Sequence, residues 1–94
     1  GSFVTPAVHR AGGLLVAVVA GGVPRIAARV RDAIALRFDS RYGDAVDQLG
    51  ALRRRMLHGS GRRAWRAASD ALVAEDFCEA VERGELAERV GSWR

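Results

Sequence analysis

The sequence predicts an all-α fold: a compact antiparallel bundle of five to six helices with a kinked first helix. Three observations carry that expectation. Apolar residues recur at three- and four-residue spacing through most of the 94 residues. Gly and Pro divide the chain into segments joined by short turns, which sets consecutive helices antiparallel. No run alternates with period two over a useful length.

Thr5-Pro6 reads as an N-cap followed by proline at the first helical position, opening a helix that ends at Gly21-Gly22. Val8, Ala11, Leu15 and Val18 give its stripe. Gly12-Gly13 predicts a kink, because each glycine weakens a helix by about 1 kcal/mol relative to alanine. The β-branched "VAVV" stretch also suits a buried strand, but a lone strand has no partner, so helix is the reading. Pro24 opens the second helix, with Val23, Ile26, Val30, Ala33 and Ile34 inward, Leu36 on the polar side and Phe38 at the end. The third begins near Ser40 or Asp44, lays Tyr42, Val46, Leu49, Leu52 and Met56 on one face, and stops at Gly59. Leu57 lies off that face. Ser60 caps a fourth helix with Trp65, Ala68 and Leu72 inward. The phase then slips near 74–75, and a fifth helix with Phe77, Ala80 and Val81 inward ends at Gly84. "ELAERV" makes a sixth, with Leu86 and Val90 inward and Trp93 folding back.

The domain is expected over residues 5–94. Residues 1–4 read as a tag remnant and lead-in, because the chain opens on Gly1-Ser2 and its only methionine is Met56. A cut from a longer protein follows from the same observation. At 49% apolar the chain can bury a core, so disorder is not expected. All 15 basic residues are arginine, a composition typical of a GC-rich bacterial genome. Cys78 is alone, which excludes an intrachain disulfide and suits a reduced cytoplasmic thiol. No cofactor or metal is expected, since His9 and His58 stand far from Cys78 and from each other in sequence. The apolar run 14–20 is too short for a bilayer span of about 20 residues, so no membrane partner is expected.

Charge is unevenly distributed. Residues 1–66 carry a net +8 and residues 67–94 a net −4, within a total of +4. Arg53, Arg54 and Arg55 fall in the last turn of the third helix, where cations suit the helix dipole. Arg62, Arg63 and Arg66 open the fourth, where the dipole disfavours them. Glu75, Glu79 and Glu82 stand at i, i+4 and i+7, an acidic stripe whose self-repulsion calls for a cation nearby. A solvated face, or rim ion pairs to Arg62 and Arg66, is the plain alternative. Catalysis is not expected: Cys78 sits on an apolar side without a histidine base, and neither His9, which reads as exposed, nor His58 has an acid to orient it. A nucleic-acid-binding helical domain using the basic stretch Arg53–Arg66 is the alternative function. Against it, the chain has no Asn and one Gln, Gln48, to read base edges, and Trp65 is in phase with the core. The leading reading is a noncatalytic protein-interaction module whose opposite charges dock between molecules.

The six segments, the Gly12-Gly13 kink and the charge asymmetry resemble the death-fold superfamily, and within it the caspase-recruitment (CARD-like) domains. The resemblance implies homotypic or heterotypic docking with another death-fold-like helical domain. On the same resemblance, that docking is expected to recruit an attached effector, such as a protease, in bacterial antiphage, cell-death-type defence. It implies contact between basic residues Arg10, Arg62, Arg63 and Arg66 and acidic residues Asp44 and Asp47. The densest acid in this chain lies elsewhere, at Glu75, Glu79 and Glu82.

Overall fold

The computed structural model describes residues 5–93; the expected tag remnant at 1–4 lies outside them. The element order is β1 (Ala7–Ala11), β2 (Leu14–Val18), α1 (Pro24–Arg37), α2 (Ser40–His58), α3 (Arg62–Leu72), α4 (Phe77–Glu82) and α5 (Glu85–Ser92). The all-α expectation is therefore corrected. Five helices stand as read, but the first segment is an antiparallel hairpin rather than a kinked helix.

The hairpin arises where the helix was expected because Gly12-Gly13 is a two-residue loop. Ala11 pairs with Leu14 across it, and the register runs on through His9↔Val16 to Ala7↔Val18. Gly12 takes φ +53°, a positive angle at the first loop position that matches the twist of the flanking strands. The missing partner for the β-branched run is residues 7–11, on the other side of the glycines. Inner positions Ala7, His9, Ala11, Leu14, Val16 and Val18 alternate with outer Val8, Arg10, Leu15 and Ala17. His9, expected to be exposed, instead faces inward, and its Nε2 hydrogen-bonds the Phe38 carbonyl at the end of α1.

The core is a helical cluster on α2. Tyr42, Ala45, Leu52 and Met56 of α2 meet Ala68 and Leu72 of α3, Val81 of α4, and Leu86 and Val90 of α5. Trp65, Phe77 and Trp93 pack against it, as their phase predicts. The phase slip near 74–75 is the non-helical stretch 73–76. Asp39 caps α2 by accepting the Arg41 backbone N–H at 3.0 Å. The cap of α3 is Gly61, with φ +97°, rather than Ser60.

Helix α1 departs furthest from expectation. It packs on the hairpin rather than on the α2 core, and only Ala27 of its residues is buried. Most of the stripe assigned inward points to solvent, with Val23 45%, Ile26 51% and Val30 42% exposed, whereas Ile34 is half-buried.

The hairpin reaches α2 through a glycine. A Cβ at Gly43 would lie 2.6 Å from both the C and O atoms of Ala11 and 2.9 Å from the Gly12 nitrogen, so only a bare backbone fits. Gly43→Ala must push two backbones apart and is expected to lower unfolding free energy by about 1–3 kcal/mol, the usual range for overpacking. Gly50→Ala, whose nearest neighbour is Arg54 Nη1 at 3.7 Å, is expected to be neutral or to gain up to about 1 kcal/mol from helix propensity. Urea unfolding of the two variants checks the contrast.

Candidate functional site

The basic stretch 53–66 does not form one surface. At 100° per residue, Arg53, Arg54 and Arg55 fan around α2 over about 200°. Arg53 faces α3, and all three are exposed. On α3, Arg62 and Arg66 turn toward α2, while Arg63 falls on the outer side. The result is a groove of about 460 Å³ lined by Arg53, Leu57, Arg62, Trp65, Arg66, Ser69 and Asp70. Its floor is partly apolar, because Trp65 also packs on the core and Leu57 is half-buried. The sharp turn at 59–61 builds it: the Gly59 and Gly61 N–H groups both donate to the Met56 carbonyl, returning the chain so that α3 packs on α2.

None of Arg10, Arg53, Arg54, Arg55, Arg62, Arg63 and Arg66 makes an ion pair among the described residues. Of the two plain alternatives, the rim pairs to Arg62 and Arg66 are not formed among the described residues. At the start of α3 no acidic residue offsets the dipole, so Arg62 and Arg63 keep an unfavourable position without local compensation. Arg10 lies apart from the groove, on the outer face of β1 opposite Leu15.

The acidic residues are dispersed. Glu75 lies in the turn before α4, so it forms no helical stripe with Glu79 and Glu82. Glu79 is exposed. Asp44 lines a smaller cleft of about 190 Å³ with Arg41, Gln48 and Leu86. Asp47 sits over the hairpin turn, its carboxylate oxygens 2.7 Å from where a Cβ on Gly12 or Gly13 would be. Glu82 is engaged inside the molecule. It accepts the Tyr42 hydroxyl and pairs with Arg37 at 3.0 Å. Tyr42 is buried and stacks obliquely on Phe38, with ring centroids 4.7 Å apart, and Arg37 lies 5.3 Å from the Phe38 centroid. This cluster ties the end of α1 to α2 and α4. Sequence reading assigned Tyr42 to the core and Glu82 to a surface; the signal it missed is that a buried tyrosine hydroxyl needs a partner.

Arg53 follows Tyr42 by eleven positions on α2, about 16 Å at 1.5 Å per residue. That exceeds the Debye length of about 10 Å at 0.1 M salt, so Glu82, held at Tyr42, does little to neutralise Arg53, and Asp70 is the carboxylate that lines the groove. Cys78 is a free, half-buried thiol. Among the described residues no three His, Cys, Asp or Glu side chains converge where they could hold a metal ion. None of the described helices is long and apolar enough to cross a membrane.

No protein-family model matches the chain, and no curated protein or solved structure matches it either.

The Tyr42 hydroxyl, then Arg37, holds the Glu82 carboxyl below the ordinary glutamate value; burial, then Glu82, pushes the Tyr42 phenol up. A carboxylate with a depressed folded pKa stabilises the fold fully above its unfolded value of about 4.3. That stabilisation is lost as pH falls through the lower folded value. Glu82→Gln is thus expected to lower stability near neutrality and to flatten the loss seen on acidification below about pH 4.5. Urea midpoints of both proteins across that window check it.

Proposed function

We propose that this chain is a noncatalytic docking module that seats an acidic, partly apolar helical segment of another protein in the groove between α2 and α3. The observation that supports it is that Arg53, Arg62 and Arg66 line one groove without an ion pair among the described residues, beside apolar Leu57 and Trp65, and outnumber Asp70, the carboxylate in the lining. Arginine forks suit carboxylates, and the apolar wall suits the other face of an amphipathic helix. An effector on the same polypeptide, a protease among others, is then recruited by the docked partner rather than by chemistry within this domain. The cytoplasm is the compartment we assign, on the unpaired thiol of Cys78.

The death-fold resemblance contributes the idea of docking and its setting in bacterial defence. The kinked first helix, one of its three parallels, is replaced by the hairpin, so the proposal rests on the groove. Phosphate is the competing ligand for the same arginines. Three contacts give a slope of log affinity against log salt of about −3 on duplex DNA.

A synthetic helical peptide with leucines on one face and glutamates on the other, and a short DNA duplex, serve as probes. The double variant Arg62→Glu, Arg66→Glu is expected to weaken peptide binding at least tenfold. Leu57→Ser is expected to weaken it severalfold. Preferential binding of the duplex, unaffected by Leu57→Ser, would assign the groove to phosphate instead, and binding of neither probe would remove the docking role. Fluorescence anisotropy reads all of these.

A further inference from the structure

The exposed stripe of α1 and the outer edge of β2 lie on the same side of the hairpin. The two-residue loop makes Ala11↔Leu14 a hydrogen-bonded pair, and hence His9↔Val16 and Ala7↔Val18 as well. The N–H and C=O groups of Leu14, Val16 and Val18 are therefore spent on β1, while those of Leu15 and Ala17 point out along an edge that no other described strand pairs with. Helix α1 runs back along β1, above the face that carries Ala7, His9 and Ala11. Ala27 and Ile34 turn toward that face. With this handedness Val23, Ile26, Val30 and Ala33, a quarter-turn away, look sideways over β2 and beyond it.

The two edges differ chemically. Strand β1 follows Pro6 and carries Arg10 with its backbone groups outward, both features that discourage pairing. Strand β2 reads LLVAV, with neither charge nor proline. An uncovered apolar edge of this kind is a template for another strand. A third strand added there would lie beneath the α1 stripe, which is placed as a helix covering more than two strands would place it.

We propose that the occupant is a second copy of this chain, its β2 antiparallel to β2 about a two-fold axis at Val16. In that register Leu15 faces the second copy's Ala17 and Leu14 faces the second copy's Val18. Every outward N–H and C=O of the strand then gains a partner. The sheet becomes four-stranded, β1-β2-β2-β1. The same axis sets the two α1 helices side by side on one face, stripe against stripe. One isologous contact therefore covers both apolar features and closes without growing into a filament. Arg37 at the end of the stripe is already paired with Glu82 and brings no uncompensated charge. The shared plane is about 21 Å long, from the rise of 14 helical residues. A strip of that length and about one helix wide is small for a protein interface, so a concentration-dependent dimer is expected rather than an obligate one. This surface is separate from the α2–α3 groove, and it depends on apolar contact rather than charge.

Sedimentation equilibrium of the 94-residue chain, over a wide concentration range and in low and high salt, tests it. A reversible monomer–dimer equilibrium that persists in high salt is expected. Ala17→Pro removes an outward N–H while sparing the ladder to β1, and Ile26→Arg charges an exposed position on α1. Each is expected to weaken dimerisation at least tenfold with an unchanged circular-dichroism spectrum, whereas Arg62→Glu has no effect. A wild-type chain that stays monomeric throughout would overturn the proposal. So would a dimer that neither Ala17→Pro nor Ile26→Arg weakens, or one that high salt or Arg62→Glu dissolves. Because peptide binding is measured separately, either outcome leaves the groove reading to its own test.

Discussion

The contact between the hairpin turn and Gly43 governs the arrangement of the whole chain. A backbone-to-backbone approach this close admits no side chain on α2, and it sets the Gly12-Gly13 turn beneath Asp47 and beside Val46. Once the turn is seated there, β1 and β2 extend away from the helical core, and α1, following β2 through a short loop, has only the hairpin to pack on. The His9 contact with the Phe38 carbonyl and the Tyr42–Glu82–Arg37 cluster then fasten the far end of α1 back to α2 and α4. The molecule is consequently elongated, 46 × 32 × 20 Å, with its densest packing at the α2–α5 end.

Two kinds of unsatisfied surface result, and they lie on different elements. The groove between α2 and α3 gathers three arginines around one lining carboxylate, Asp70, while Glu82 is committed to Tyr42 and Arg37. The hairpin side gathers apolar area. The first surface suits ionic recognition that weakens with salt; the second suits association driven by removing apolar groups from water, which salt does not screen.

Local patterning made much of the helical part legible. Glycines, Pro24 and three- to four-residue spacing placed α1 to α5 within a few residues, although the expected caps Thr5 and Ser60 do not cap helices. Leu52, Leu72, Leu86 and Val90 fell on the buried faces their phase predicts. The hairpin was missed because its two halves are short and share apolar residues with a plausible helical stripe. The decisive sign, a Gly-Gly pair between two β-compatible runs, was read as a kink. For α1, spacing correctly marked an apolar stripe but could not tell whether anything covers it. Among the candidate site residues, Arg53, Arg62 and Arg66 were brought together, Arg10, Arg54, Arg55 and Arg63 were not, and Glu75 was separated from Glu79 by a change of backbone conformation.

By itself, then, the sequence determined where helices start and stop, which of their faces are apolar, and that positive charge concentrates before residue 67. These are local properties, set by capping, dihedral preference and residue order. Only the tertiary structure decided that residues 7–18 pair as strands, that the α1 stripe faces solvent, and that Glu82 turns inward while three arginines remain unpaired among the described residues. Each of those outcomes depends on which elements become neighbours. Here a glycine on α2 and a two-residue loop made that choice through steric contact, which no periodicity along the chain encodes.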